Sequence, residues 1–279
     1  MDVTELLTRY SAGERDFREV NLAGADLRNQ NPSEINLREA NLVGADLRGA
    51  ILRGINLREA KLMKADLTGA QMVLGNLIGS NLSDAIAIDT NLTEAGLRGA
   101  LLIRANLTRA HMEDTNLNEA NLDESICEEA HLARASLNRA RLIKANLTRA
   151  NLEEASLASA TLTYTQLAEA KLMGAVLSGA VLDMADLRQV DLSRAKLQGC
   201  NMVNTILTRA NLRGANLSWS SLRGADLRGA TLYRAKLSWS NLSGAILTEA
   251  VMINASMDYT NLRNADLRGT ILPDGLTHE

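Results

Sequence analysis

The chain has 279 residues, 23% of them charged, and a formal net charge of −3; it is neither basic enough to suggest nucleic acid nor markedly acidic. One Phe, two Trp and four Tyr are too few for an ordinary core of this size, where aromatics supply much of the buried area, so Leu and Ala must fill small, uniform layers. No apolar run reaches the roughly 18–20 residues of a spanning helix, and the N-terminus lacks the basic and then apolar regions of a signal peptide; a cytoplasmic protein without membrane contact is expected.

The first element is a short helix. In "DVTELLTRYSAG", Asp2 and Glu5 have capping-box spacing, Leu6, Leu7 and Tyr10 share one face, and Gly13 is a stop. Residues 1–14 form this segment, residues 15–272 a repeat, and residues 273–279 a tail.

The repeat has a period of five. In "ANLVGADLRGAILRGINLREAKLMKADLTGA" (40–70), Leu falls at 42, 47, 52, 57, 62 and 67, and 43 of the 52 such positions from Phe17 to Leu272 hold Leu. Two residues earlier stands Ala or another small residue. Five fits neither a 3.6-residue helix nor a long two-residue strand, but it fits a short extended segment followed by a turn. The small residue and the Leu, two apart, point to the same side of extended backbone. Fifteen of the 19 glycines lie two residues after a Leu position, a place for a turn residue with φ > 0. None lies between Gly99 and Gly174, so a different turn type is expected there.

Stretches such as "ANLTRANLEEASL" and "ADLRGATL" closely match A(D/N)LXX, and the chain resembles the pentapeptide-repeat proteins over residues 15–272 without a register slip. "GERDFREVNLAGADL" is similar to the opening of many cyanobacterial members. The resemblance implies an all-β solenoid: a right-handed quadrilateral β-helix with four repeats per coil, about 13 coils here, under a short N-terminal capping helix. Coils at the ~4.8 Å strand spacing give a rod ~60 Å long. Each buried Leu contributes roughly 1.5–3 kcal/mol before entropy is subtracted. At the far end Pro273 blunts an edge that no capping helix covers, which leaves room for a homodimer through the C-terminal edge, as in some relatives.

Two Leu positions are defective. Pro32, in "RNQNPSEIN", reads as a distorted corner that keeps the five-residue count. Ala87, in "DAIAIDT", leaves a Leu-sized gap, with Ile86 and Ile88 facing outward. Cys127 and Cys200 both fall on inward positions more than three coils apart, so they are expected to be free, buried thiols.

Function must then lie in the outward columns, written out by counting twenties. Trp219, Trp239 and Tyr259 share one column beside Ser218, Ser238 and Asp258, and are expected to stack as a ladder suited to a protein interface. Simple stiffening of that face is the competing reading. The same face near the N-terminus carries Arg18, Arg38, Arg58 and Arg98 beside Glu19, Glu39 and Glu59, a solvated charged surface. Residues 209–236 hold Arg209, Arg213, Arg223, Arg228, Arg234 and Lys236 against Asp226 alone, a basic band read as facing an acidic partner beside the aromatics. Residues 113–129 hold seven acids and no base. His111 and His131 stack one coil apart near Glu113, a candidate metal set without an evident fourth ligand. Val43, Met63, Ile103, Ile143 and Val203 share an apolar column; Val73, Met173, Tyr233 and Ile253 share another.

No nucleophile–base pair, phosphate loop or Cys/His cluster gives catalysis a foothold. No enzyme activity and no cofactor are expected. The leading reading is a rigid, non-enzymatic and regulatory protein-interaction scaffold whose partner is a protein and not nucleic acid. An alternative, a duplex mimic that binds or protects a topoisomerase as some relatives do, needs about 35 negative charges over ~60 Å, which a net charge of −3 argues against. A third reading is a self-assembling structural rod.

Overall fold

The structure, a computed structural model, describes residues 1–279. It divides into two compact units, Met1–Arg141 and Leu142–Glu279, each built by the same rule. The residue before a Leu position makes a parallel bridge to the residue twenty further on: Asn41 to Lys61, Asp46 to Asp66, Ile51 to Gln71 and Asn56 to Asn76 in the first unit. Asp226 to Ile246, Thr231 to Val251, Lys236 to Ser256 and Asn241 to Asn261 do so in the second. Bridges five apart whose partners lie twenty on define coils of four sides, one repeat to a side.

Each repeat spends its backbone polar groups in the same way. Asn41 N–H donates to Val20 O at 2.9 Å, Leu42 N–H to Lys61 O at 2.7 Å and Gly44 N–H to Met63 O at 2.9 Å, while Ala45 N–H closes the turn on Leu42 O at 3.0 Å. The second turn residue has φ > 0 in every repeat from Glu19 to Gly269, which makes the turns type II. The change expected between Gly99 and Gly174 does not occur. Arg104, Arg109, Glu119 and Glu154 take φ of 55°, 54°, 62° and 58° there. The reason is that this N–H is held by the adjoining coil, as Arg104 N–H is by Asp123 O at 3.0 Å. The backbone therefore adopts the left-handed conformation whatever the side chain, against a cost of about 1–2 kcal/mol for a residue with a Cβ.

The interior is the Leu column with its small residues, almost all fully buried. Where Thr or Ser replaces Ala, its hydroxyl is satisfied internally: Thr90 donates to Leu67 O at 2.7 Å, Thr165 to Leu142 O at 2.7 Å and Thr205 to Leu182 O at 3.0 Å. Buried hydroxyls without such partners would cost about 1–3 kcal/mol each. Cys127 and Cys200 are free and buried, and burial pushes their thiols up to about 11 and about 12 respectively.

Helix α1 spans Val3–Ser11, with the Asp2 carboxylate accepting from Glu5 N–H at 2.7 Å. Only half of a capping box forms, since the Glu5 carboxylate pairs with Arg9 at 3.3 Å instead. Leu6 is buried and the Tyr10 hydroxyl donates to Ser33 O at 3.0 Å. Pro32 is buried and the five-residue count continues through it. Having no N–H, it cannot donate to Ile51 O as other Leu-position residues donate to the next coil, and the Ser33 hydroxyl reaches that oxygen at 3.4 Å. At Ala87 the coil also continues; Ile86 is exposed and Ile88 half-buried. Residues 273–279 turn back, with Ile271 and Thr277 forming an antiparallel bridge. Gly275 takes φ +87° at that reversal.

Candidate interaction surfaces

The second turn residue of each repeat points outward, so the residues at this position twenty apart stack. Trp219 and Trp239 lie with ring centroids 4.9 Å apart and planes within 2°, and Trp239 and Tyr259 at 4.1 Å and 20°. The rings are 65%, 48% and 76% exposed. All three sit at positive φ, 64°, 64° and 57°, in a column whose two immediately preceding members, Gly179 and Gly199, carry no side chain. Nothing lies within 4 Å of a Cβ placed on Gly199, so the outer face of Trp219 looks onto a bare strip.

The arginines expected beside this ladder are set on the other three corners. By the twenty-residue register Arg209 and Arg228 share one corner, Arg213 and Arg234 the next, and Arg223 a third. Arg209 and Arg228 line an open depression with Gln189, Thr208 and Glu249. Arg228 is held by Asp226, its Nε 2.9 Å from Oδ1 and its Nη2 2.5 Å from Oδ2, and this guanidinium holds the Asp226 carboxyl below its ordinary range. The same Asp-Leu-Arg pairing recurs at Asp46–Arg48 and Asp186–Arg188. Arg213 and Arg234 instead pack on Tyr233, their guanidinium carbons 4.6 and 5.1 Å from the ring centroid. Tyr233 thus belongs with the cations rather than with an apolar column.

The acidic run 113–129 receives its bases from neighbouring coils. Arg134 binds Asp114 at 2.6 Å, Arg141 binds Asp123 at 2.7 Å, and Arg98 reaches Glu119 at 3.2 Å. Near the N-terminus Arg38 pairs with Glu39 at 2.7 Å and Arg58 with Glu59 at 3.0 Å; exposed pairs of this kind contribute ~0–1 kcal/mol each. His111 and His131 stack at 4.7 Å, with Glu113 Oε1 at 3.8 Å from Nδ1 of both.

One exposed apolar pair escaped the sequence reading. Tyr164 and Met184, 50% and 46% exposed, occupy turn positions one coil apart at φ 59° and 57°. Counting twenties from Tyr164 would have found them, as it found the tryptophans.

The family model for pentapeptide repeats matches in eight copies between residues 16 and 272. Among solved structures, HetL from the cyanobacterium Nostoc sp. strain PCC 7120, a pentapeptide repeat protein involved in heterocyst differentiation regulation, is 33% identical, with 100% of both chains covered and a TM-score of 0.29. A pentapeptide repeat protein of the Arabidopsis thaliana thylakoid lumen is 32% identical over 35% of this chain and 68% of its own, with a TM-score of 0.34. Rfr23 of the cyanobacterium Cyanothece 51142 is 32% identical over 40% of this chain and 58% of its own, with a TM-score of 0.17. No curated protein sequence matches the chain. The proteins of this family are right-handed quadrilateral β-helices, in keeping with the four-sided coils of each unit. No helix is long and apolar enough to cross a membrane.

Proposed function

The chain belongs to the pentapeptide-repeat family, and from that premise we propose that it acts as a non-enzymatic, regulatory protein-interaction scaffold in the cytoplasm. Its 52 repeats count to thirteen coils at four per coil, with helix α1 as the cap. The working face is the corner carrying Trp219, Trp239 and Tyr259. One observation carries this reading: three exposed aromatics stack face to face on consecutive coils, at 4.9 and 4.1 Å. Rigid, stacked aromatics are favoured anchors at protein interfaces.

The partner is a protein whose contact surface accepts ring edges. Arg213 and Arg234, free of ion pairs and packed on Tyr233, extend a second, cationic contact on another corner, suited to acidic side chains. A duplex mimic gains no support from this surface, because three acids of the one acid-rich run, Asp114, Glu119 and Asp123, are paired with arginines. For the C-terminal edge we propose a second copy of the chain, since the inward residues Met257, Leu262, Leu267 and Leu272 are only half-buried there.

Affinity capture from lysate with the wild type and with a Trp219→Gly/Trp239→Gly/Tyr259→Gly variant tests the reading. Glycine keeps the backbone unstrained, so circular dichroism should show an intact coil. A protein held by the wild type and lost by the variant is the expected result. Equal retention by both would move the site away from this corner.

A further inference from the structure

His111, Glu113 and His131 have no part in the surface proposed above, yet their donor atoms converge. Each imidazole Nδ1 lies 3.8 Å from the same oxygen, Glu113 Oε1, and one donor atom from each of the three residues falls within 4.8 Å of the others. In a tetrahedral zinc site, metal–ligand bonds of ~2.0–2.2 Å place donors about 3.4 Å apart. The two Nδ1–Oε1 distances exceed this by about 0.4 Å, and the widest donor pair, within 4.8 Å, by up to about 1.4 Å, a gap that χ rotations of the half-exposed imidazoles close. The other carboxylate oxygen is already engaged, with the Thr93 hydroxyl 3.4 Å from Glu113 Oε2, which leaves Oε1 facing the rings. Such a hydroxyl contact is the kind of outer support that orients a metal ligand.

The backbone fixes this arrangement in advance. His111 and His131 are bridge partners on adjacent coils, and their rings stack at 4.7 Å with planes 13° apart. Residue 133, the equivalent of Glu113 on the next coil, is Ala, so no second long side chain competes for the space beside His131. Two imidazole nitrogens and one carboxylate oxygen suit a first-row divalent ion, zinc above all, and not calcium or magnesium, which take oxygen ligands.

We propose that His111, Glu113 and His131 form a surface binding site for a single divalent transition-metal ion, with zinc as the natural occupant and water completing the coordination. The ion ties two consecutive coils together, so binding stabilises this part of the chain by mass action. Because the imidazoles are about half exposed, the site exchanges metal with solvent rather than trapping it.

The test is isothermal titration of tag-free protein with zinc chloride, paired with cobalt(II) absorption spectroscopy. Asn occupies the equivalent position at Asn91 and Asn211, so His111→Asn and His131→Asn are substitutions the coil already accommodates, and circular dichroism checks that they remain folded. The wild type is expected to bind one zinc ion per chain and to give the intense visible bands of four-coordinate cobalt. Each Asn variant and Glu113→Gln should bind at least about tenfold more weakly, while His278→Asn should bind as the wild type does. A rise in melting temperature with zinc should appear in the wild type and vanish in the His111→Asn/His131→Asn double variant. Undiminished zinc binding by that folded double variant, or no binding by the wild type at a hundredfold excess of zinc, would overturn the proposal.

Discussion

Trp239 offers the sharpest test of the claim that the aromatic corner is held against backbone strain. Its φ is +64°, and it carries a ring on each side, at 4.9 and 4.1 Å. Trp239→Ala removes both stacking contacts, worth about 0.5–1.5 kcal/mol each, and keeps the left-handed cost. Trp239→Gly removes the same contacts but relieves about 1–2 kcal/mol of that cost, offset by about 0.4–1 kcal/mol for the freer unfolded chain. The Ala variant should therefore lie about 2 kcal/mol below the wild type, and the Gly variant about 1 kcal/mol above the Ala variant. Guanidinium unfolding followed by circular dichroism reads the order directly from the midpoints, provided the slopes agree. If the Ala variant equals or exceeds the Gly variant, the strain argument fails.

Four further outcomes follow from the same geometry. The Arg28 guanidinium holds the Asp26 carboxyl at about 2 rather than the ordinary 3.8; a depressed folded value means that the pair contributes above the ordinary carboxylate range and is lost as pH falls through about 2. Carboxyl-detected NMR should show this, with Arg28→Ala returning Asp26 to its ordinary range. Leu152, fully buried, should cost about 2–5 kcal/mol as Leu152→Ala, read as a lower unfolding midpoint. Cys127 and Cys200, their thiols raised to about 11 and about 12, should resist a thiol reagent at pH 8 and react fully in denaturant. Light scattering should give a dimer that Leu262→Glu/Leu267→Glu converts to monomer; a wild type that stays monomeric at high concentration removes the proposed self-association.

The repeat was legible because its period survives the substitutions that break the consensus, Pro32 and Ala87 included. Counting twenties also put Trp219, Trp239 and Tyr259 together, since stacking in such a coil is set by register alone. The same count, carried from the Arg18 column to the remaining charges, would have found the vertical pairs Arg104–Asp84 and Arg109–Asp89, both at 2.7 Å. Bands mislead here because twenty consecutive residues wrap all four corners, which is why the five arginines between 209 and 234 do not form one patch. The turn type was hidden for another reason. Glycine marks where a left-handed residue is least strained, but inter-coil hydrogen bonds impose that conformation on Arg, Glu and Trp alike. The returning C-terminal segment had its signal in Pro273-Asp274-Gly275, a turn sequence, with the Asp274 carboxylate accepting from Leu276 N–H at 3.0 Å.

The most direct test of the scaffold reading places a photo-crosslinking amino acid at position 239, with the same group at position 159 as the reference. Ser159 lies in the same column of the same unit, at φ 57°, away from the aromatic rings. Irradiation in lysate should give one discrete protein adduct from position 239 and none from position 159. No adduct from 239, or the same adducts from both positions, would contradict the assignment of the aromatic corner as the binding face.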